Sequence, residues 1–289
     1  MEQKKRKRMY ALVKINLKVA AAVLVSLALC CAAVITVSAV TSEEGVEIPI
    51  VMYHSLLKDE ARHGKYVISP AEFENDLQYL KKHGYTTILM SDLIAYTQGK
   101  ELPEKPVLLT FDDGYYNNYV YAYPLLQQRN MRAVVSIIGC QTDQYTESGV
   151  ENAYWSHLTI DRLREMQDVF EVQNHSWNLH EYGERRGCLR RRGEDQTTYE
   201  SLLREDTGQT QELLSENGLP EPQCYTYPFG ACSDESEQVL REMGFLCTLG
   251  CEERMNLVTG DPSCLYEMGR YNRASGESTE SYLKRALGE

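Results

Sequence analysis

The sequence predicts an α/β domain, a distorted barrel of seven or eight β/α units, preceded by one apolar N-terminal helix. The main observation is that short apolar segments alternate with amphipathic ones from residue 48 to the C-terminus. Strands that alternate with helices along a chain form parallel sheets. Seven or eight such units within residues 47–289 fit a closed barrel better than two open sheets.

The first 40 residues differ from the rest in charge and hydropathy. Residues 1–18 carry a net charge of +6 and residues 19–40 carry none, which leaves −18 for the remainder of a chain whose total is −12. The segment 19–40 is long enough to cross a bilayer as a helix, with the basic residues on the cytoplasmic side. The alternative is a signal peptide cleaved near Val37-Ser38-Ala39. The apolar core of a signal peptide normally spans only about 7–15 residues, which is shorter than the segment 19–40. We therefore expect a membrane anchor, a linker at 41–46 and an extracellular domain at 47–289, which would be secreted if the segment were cleaved.

The predicted elements alternate along this domain. Strands are expected at short apolar runs rich in β-branched and aromatic residues, namely residues 48–54, 86–90, 107–111, 133–138, 169–173, 224–227, 245–249 and 265–271. Helices are expected at residues 70–82, 118–128, 160–166, 199–215 and 235–243, with others beginning at Ser91 and Ser278. Ser69 and Pro70 mark the start of the first helix, because serine is a preferred N-cap and proline suits the first turn.

Two adjacent carboxylates, Asp112 and Asp113, follow the apolar strand 107–111 and precede Gly114. Like charges in contact repel each other and resist removal from water. A metal ion is the commonest compensation. The pair alone is also compatible with a simple turn, so further ligands are needed to support a metal site.

Other strand ends carry suitable ligands. The working residues of a parallel barrel lie at the carboxyl ends of its strands, and three of the six histidines, His54, His175 and His180, follow predicted strands. Two histidines and one carboxylate that leave positions open are typical of a catalytic metal site. Zinc suits this set, and cobalt, nickel or manganese bind the same ligands. The spacing of five between His175 and His180 requires an irregular loop.

These residues resemble a known family. Thr110–Gly114 together with His175-Ser176 is similar to the motifs of the polysaccharide deacetylases, the NodB-homology carbohydrate esterases, and the resemblance covers residues 46–289. The five-residue spacing to His180 and the early Tyr53-His54 resemble the branch that contains the extracellular poly-N-acetylglucosamine deacetylases. The resemblance implies the NodB type of distorted barrel.

The resemblance also implies residue roles. It makes Asp113, His175 and His180 the metal ligands. It makes Asp112 the general base that activates water and His54 the general acid that protonates the leaving amine. Individually each residue has a simpler interpretation, since His54 could be a core histidine and His180 a loop residue. The occurrence of all five at three separate strand ends favours the site.

A further motif is only partly present. The segment Tyr227, Pro228, Phe229 resembles the family's Pro-Tyr/Phe-Gly motif, whose backbone amide helps to hold the oxyanion. The arginine that usually stands two residues before the proline, and that orients the base, is replaced by Thr226. We predict that Arg270 supplies the guanidinium from elsewhere in the chain.

The expected function is therefore metal-dependent removal of N-acetyl groups from an extracellular N-acetylglucosamine polysaccharide, with release of acetate. A poly-β-1,6-linked substrate is favoured over peptidoglycan. One alternative is a catalytically silent protein that binds glycan or cell wall, supported by the missing motif arginine, and another is a metal hydrolase of other acetyl esters. The acidic domain excludes nucleic acid as a partner, and no obligate protein partner is evident.

The remaining features are assigned to packing or to the surface. Seven cysteines lie outside the apolar segment, an odd number, and we interpret them as small buried hydrophobic residues, with a disulfide among them left open. The arginine-rich insertion Glu181–Gln196 is interpreted as a solvated loop rather than a site for anionic polymer or lipid. Surface or packing roles are expected for His63, His83 and His157, and for Trp155 and Trp177, although the tryptophans could line a sugar groove.

Overall fold

The computed structural model describes residues 45–181 and 183–289, and Gly45–Glu289 form one compact unit. The predicted cytoplasmic segment 1–18 and apolar segment 19–40 lie outside the described residues. Within the part of the chain that is described, no helix has the length and apolar character needed to span a membrane.

The strands belong to one large sheet and two small ones. In chain order they are β1 (Val46–Ile48), β2 (Ile50–Tyr53), β3 (Ser55–Leu56), β4 (Val67–Ile68), β5 (Thr86–Ile88), β6 (Pro106–Phe111), β7 (Ala133–Ile137), β8 (Phe170–Asn174), β9 (Cys224–Thr226), β10 (Cys247–Leu249), β11 (Asn256–Val258) and β12 (Tyr271–Asn272). The large sheet has the order β10-β9-β8-β7-β6-β2-β12, with β5 paired to the first half of β6. All of its strand pairs are parallel, which confirms the predicted α/β class.

The large sheet curls, and one segment links its two ends. Met268 donates its amide to the carbonyl of Thr248 in β10 at 2.9 Å, and β12, which follows, pairs with β2 through Tyr271 and Val51. Closure therefore depends on a short bridge and not on a full strand pair. The arrangement is a curled half-barrel.

Eight helices pack on this sheet in the described residues. They are α1 (Pro70–Lys82), α2 (Met90–Thr97), α3 (Tyr123–Arg129), α4 (Gly139–Ser148), α5 (Ile160–Glu165), α6 (Gln196–Glu216), α7 (Asp234–Glu242) and α8 (Thr279–Leu287). A π-helical turn, Asn118–Ala122, leads into α3. The predicted start of α1 is confirmed, because Ser69 and Glu72 form a reciprocal capping box.

Several predicted boundaries are wrong. The strand expected at 48–54 is divided at Pro49 into β1 and β2, since proline has no N–H for the ladder. Ser91 does not cap α2. Leu89 is the N-cap, and its amide donates to the Asp92 carboxylate at 2.8 Å.

Other elements were misassigned or missed. In place of the strand expected at 265–271 there is a 3-10 helix, Pro262–Leu265, then a bend at residues 266–267, an isolated bridge at Met268 and the short strand β12. The helix α4 was not predicted, because it is mostly polar and buries only Gly139 and Thr142. Without an apolar face there is no helical periodicity to detect.

The register of the sheet brings the strand ends together. Tyr53 of β2 pairs with Phe111 of β6, so the next residues, His54 and Asp112, leave the sheet side by side. His175, just after β8, donates its amide to the carbonyl at the end of β7 at 2.9 Å. The predicted site residues therefore open onto one edge of the sheet.

Candidate active site

An open cavity of about 680 Å³ lies at the carboxyl ends of the strands. Six of the residues predicted from the sequence line it: His54, Asp112, Asp113, His175, His180 and Phe229. The other three, Arg270, Tyr227 and Pro228, lie behind its wall and are buried. The His175–His180 segment is neither helix nor strand, as its spacing predicted.

Asp113, His175 and His180 form a cluster suited to a metal ion, with ligand atoms all within 4.8 Å of one another. Asp113 Oδ1 lies 3.5 Å from the Nε2 atoms of both histidines, which is longer than a normal hydrogen bond. Asp113 Oδ1 and His175 Nε2 are buried and have no hydrogen-bond partner. Buried polar atoms left in this way cost free energy unless something binds them, so the residues fit a divalent cation.

Neighbouring groups hold His175 and Asp113 in the protonation states that bind a cation. His175 Nδ1 donates to the carbonyl of Thr226 at 2.7 Å, which leaves Nε2 as the lone pair that faces the cluster. Burial acts to raise the pKa of Asp113, but the imidazoles of His175, His54 and His180 outweigh burial and hold that pKa below its usual range. The carboxylate is therefore ionised and available as a ligand.

The guanidinium of Arg270 forms a bidentate ion pair with the carboxylate of Asp112. Nη1 donates to Oδ1 at 2.7 Å and Nη2 to Oδ2 at 2.8 Å. Both side chains are buried, and Arg270 Nε also donates to the carbonyl of Gly250 at 2.7 Å. Burial raises the pKa of Asp112, but Arg270, together with His175 and His54, outweighs burial and lowers that pKa overall. The arginine predicted to act from outside the motif thus contacts the predicted base.

His54 lies on the other side of Asp112. Its Nε2 is 3.9 Å from Asp112 Oδ2, and its ring is 4.7 Å from the ring of Tyr66. Burial lowers the pKa of His54, and the carboxylates of Asp112 and Asp113 only partly oppose that effect. The imidazole is therefore neutral near pH 7 in this arrangement. Its position agrees with the predicted acid, while its charge state in the resting site does not.

The turn after β9 brings only one of its three predicted residues to the cavity. Tyr227 donates its amide to the carbonyl of Leu249 at 3.0 Å, and its side chain packs in a core cluster. Pro228 has no N–H. Phe229 lines the cavity, and its ring lies 4.3 Å from that of His180.

Backbone strain is concentrated at this site. Among the described residues, five that are not glycine have a positive φ, and three of them are Asp113 at 69°, Ser176 at 73° and Phe229 at 59°. Such conformations cost about 1–3 kcal/mol each and persist where the surrounding structure enforces them. Gly114 follows with φ of 70°, and a Cβ there would lie 2.9 Å from Ile137 Cγ2. The turn therefore requires glycine directly after the two aspartates.

Sequence reasoning missed three residues of this region. Cys251 lines the cavity, with Sγ 3.8 Å from Arg270 Nη2. His157 was assigned to the surface or to packing, but it lines the cavity, and burial lowers its pKa to about 4. Asp206 of α6 accepts hydrogen bonds from the loop between the two cluster histidines. The signal for Asp206 was available, because it is a carboxylate on the buried face of an amphipathic helix, next to Thr207.

The remaining features agree in part with their assignments. The seven cysteines of the described residues are all free thiols. The arginine-rich insertion is an irregular loop, and several of its arginines pair with carboxylates, Arg185 with Glu194 and Arg190 with Glu235 at 2.8 Å. Trp155 is 53% exposed.

The fold and the site together define an α/β enzyme of the NodB type. The chain belongs to the polysaccharide deacetylase family, whose model matches residues 99–247, a stretch that includes both aspartates and both cluster histidines.

This chain aligns with only part of the length of its named relatives in the family. The poly-β-1,6-N-acetyl-D-glucosamine N-deacetylase of Escherichia coli (strain K12) is 25% identical over 221 residues, 68% of this chain and 32% of that one. The Staphylococcus aureus (strain MSSA476) protein of the same name is 22% identical over 191 residues, 65% of this chain and 62% of that one. Bacillus subtilis (strain 168) YxkH is 32% identical over 139 residues, 47% of this chain and 45% of that one. The chain thus spans less than two thirds of each relative.

Solved structures share the fold over most of the chain. A de-N-acetylase from Aggregatibacter actinomycetemcomitans superposes with a TM-score of 0.69 and 25% identity over 83% of this chain and all of that one. The Streptococcus pyogenes deacetylase PplD superposes with a TM-score of 0.67 and 23% identity over 84% of this chain and 99% of that one.

Proposed function

We propose that this protein is a metal-dependent N-deacetylase of an extracellular N-acetylglucosamine polysaccharide. The observation that carries the proposal is a single cavity lined by Asp112 and by the Asp113, His175, His180 cluster, with the buried Arg270 hydrogen-bonded to Asp112. Family membership supports the reaction class. The names of the Escherichia coli and Staphylococcus aureus relatives favour poly-β-1,6-N-acetylglucosamine as substrate, with peptidoglycan as the competing glycan.

Asp113, His175 and His180 would hold the cation. Two histidines and one carboxylate with open positions are typical of catalytic zinc, although cobalt, nickel and manganese accept the same ligands. Bound there, the ion supplies a Lewis acid that polarises the acetamide carbonyl and lowers the pKa of water.

The protein's own residues move the protons. Asp112, kept ionised by Arg270, accepts a proton from the attacking water, whose oxygen bonds to the acetamide carbon. Breaking the C–N bond then requires a proton on the departing amine. Because His54 is neutral beforehand, the proton taken by Asp112 must reach it across the 3.9 Å that separates Oδ2 and Nε2. Water thus supplies both the second oxygen of acetate and the proton of the amine.

The oxyanion role falls to Phe229 within the predicted trio. The amide of Tyr227 is used by Leu249 in the sheet, and Pro228 has no N–H. Phe229 lines the cavity beside His180. Its left-handed φ of 59° sets the course of the backbone at this point.

Membrane attachment belongs to the same proposal. Residues 19–40 would anchor the chain with the catalytic domain outside the cell, because basic residues precede an apolar stretch of bilayer length. Tethering would hold the enzyme next to extracellular polysaccharide.

The silent binding protein is the weaker alternative. Its support was the missing motif arginine, and Arg270 now occupies the position from which a guanidinium contacts Asp112.

The test is acetate release by the full-length protein, stripped of metal and reloaded with Zn²⁺, Co²⁺, Ni²⁺ or Mn²⁺. Poly-β-1,6-N-acetylglucosamine oligomers and muropeptide glycan are the two substrates, and Asp112→Asn is the inactive control. We expect cation-dependent acetate from the first substrate, lost in the variant. If the protein binds glycan but releases no acetate with any of these cations, the deacetylase proposal is wrong and the silent binding protein is supported.

A further inference from the structure

A row of four aromatic rings leads from the cavity to the protein surface. The ring of Tyr115 stacks on His157 with centroids 4.9 Å apart, and His157 stacks on Tyr145 at 5.6 Å. Tyr145 in turn contacts Trp155 at 5.9 Å. Tyr115 and His157 line the cavity, while Trp155 is 53% exposed. We call these four side chains the aromatic row.

The aromatic row is fixed to the strand end that carries the aspartates. Tyr115 and His157 form an antiparallel bridge, and Leu158 donates its amide to the carbonyl of Gly114 at 2.8 Å. Gly114 follows Asp113 directly. The inner end of the row is therefore tied to the strand end that carries the aspartates, while Trp155 lies in the irregular segment 149–159.

The outer end of the row is exposed in a way that suggests a ligand. Tyr154 is 51% exposed beside Trp155, and Tyr66, on the cavity wall, is 46% exposed. Large aromatic side chains are usually buried because of the apolar area that they carry. Apolar patches that continue a cavity mark ligand-binding grooves.

We propose that the aromatic row is a binding subsite for a second sugar ring of the polysaccharide, with the apolar face of the pyranose stacked on Trp155. The inference rests on the proposed function, because the row continues the cavity in which the acetamide would react. A sugar ring has an apolar face and polar edges, which match an aromatic row that begins in a cavity lined also by polar groups such as Gln141. The subsite would make the enzyme prefer oligomers to a single sugar.

The test compares binding to a pentamer and to the monosaccharide of β-1,6-linked N-acetylglucosamine, using the full-length protein with Asp112→Asn to prevent turnover. Trp155→Ala is expected to weaken pentamer binding about tenfold, and to leave the monosaccharide unchanged, whereas Trp155→Phe retains most of the affinity. Leu257→Ala is the control, because Leu257 is also 53% exposed but lies on β11, outside the aromatic row.

Unchanged pentamer binding by Trp155→Ala would overturn the subsite. The two proposals fail separately. Acetate release by the wild type with no effect of Trp155 rejects only the subsite, while Trp155-dependent binding without acetate release rejects only the deacetylase.

A second inference comes from a different part of the site. Asp206 of α6 is 9% exposed, and it accepts the amide of Trp177 on Oδ1 at 2.9 Å and that of Asn178 on Oδ2 at 2.8 Å. From the opposite side, Gly139 donates its amide to the carbonyl of Ser176 at 2.9 Å. The loop is thus held by α6 and by the start of α4.

We infer that Asp206 is a positioning residue for the metal cluster. The segment that it holds joins His175 to His180, and only His175 is fixed by the strand before it. Both oxygens of Asp206 are needed, because two consecutive amides point at them. Loss of one oxygen would release the loop and spread the positions of His180 relative to Asp113.

The test is the Zn²⁺ affinity of the full-length protein by calorimetry. Asp206→Asn offers one acceptor oxygen in place of two and is expected to weaken Zn²⁺ binding about 10- to 100-fold. Glu205→Gln, an exposed change on the same helix, should bind as the wild type does. Wild-type affinity in Asp206→Asn would contradict the inference.

Hydrogen exchange of the wild type gives a second reading that needs no variant. The amides of Trp177 and Asn178 are expected to exchange slowly although they lie in a loop, because Asp206 accepts both. Fast exchange at both amides would contradict the positioning role of Asp206, even if the Asp206→Asn variant failed to fold.

Discussion

Asp112 depends on a cation that lies 158 residues further along the chain. Arg270 lowers the pKa of a carboxylate that burial alone would raise. Asp112 can act as a base only when it is ionised, so Arg270 sets the pH above which the proposed reaction proceeds.

We therefore predict that Arg270→Gln lowers kcat/KM at pH 7 by about 10²- to 10⁴-fold and moves the acidic limb of the pH profile upward. Without the guanidinium, the pKa of Asp112 rises, and the base becomes protonated at higher pH. Arg192→Gln, which changes an exposed arginine, serves as the control. An Arg270→Gln profile with an unshifted acidic limb would show that Arg270 does not set this pKa.

Asp206 gives a pH dependence of stability. Burial raises its pKa to about 6, against the hydrogen bonds from two amides. The unfolded chain releases this proton near pH 3.9, so the folded state binds more protons between about pH 4 and 6. Stability from this group is therefore present below pH 4 and is lost as the pH rises through 6.

Urea unfolding in EDTA at pH 4 and pH 7 measures this effect. Relative to Asp206→Asn, which does not titrate, the wild type is expected to lose about 2 kcal/mol between the two pH values. A constant difference between the two proteins would mean that the carboxyl titrates normally.

A buried ion pair joins the elements at the two ends of the domain. Arg273, just after β12, donates Nε to Asp76 of α1 at 2.8 Å, and both side chains are 0% exposed. Asp76 also accepts from Thr279 of α8 at 2.6 Å and from Tyr53 of β2 at 3.2 Å. The pair fixes α1 and α8 against the strand that leads to His54.

Arg273→Met is expected to destabilise the domain by about 3–5 kcal/mol, because it leaves Asp76 buried without a cation. Arg285→Met provides the comparison. Both arginines lie over the ring of Tyr282. The ion pairs of Arg285, however, are partly exposed, and surface pairs contribute only about 0–1 kcal/mol. Denaturant unfolding compares the two, and equal losses would show that burial of the pair is unimportant.

The domain as a whole should respond to cation binding. A ligand that binds only the folded state stabilises it, by about 2.7 kcal/mol when present at 100 times its Kd. We predict that Zn²⁺ raises the Tm of the full-length protein, that EDTA reverses the rise, and that His180→Ala abolishes it. His63→Ala should respond as the wild type does, since His63 lies outside the cluster. A Tm that ignores Zn²⁺ would count against the metal site.

Much of the site was predictable because parallel strands all point their carboxyl ends to one edge. Once β6 and β8 were recognised as apolar runs, Asp113 and His175 had to meet near that edge. The elements that were missed lack such local signals. The helix α4 has no apolar face, and the chain from residue 265 pairs through isolated bonds at Met268 and Tyr271.

Local residue patterns thus determined the α/β class, most of the strands and helices, and the identity of the candidate metal ligands. Tertiary structure decided which distant side chains surround the site: Arg270 on Asp112, Asp206 on the histidine loop, and the rings that link Trp155 to His157 in the cavity. The physical reason is the separation along the chain over which each effect acts. Backbone propensity and hydrophobic periodicity act over a few residues, whereas these contacts depend on how the sheet curls and on which loop faces its edge.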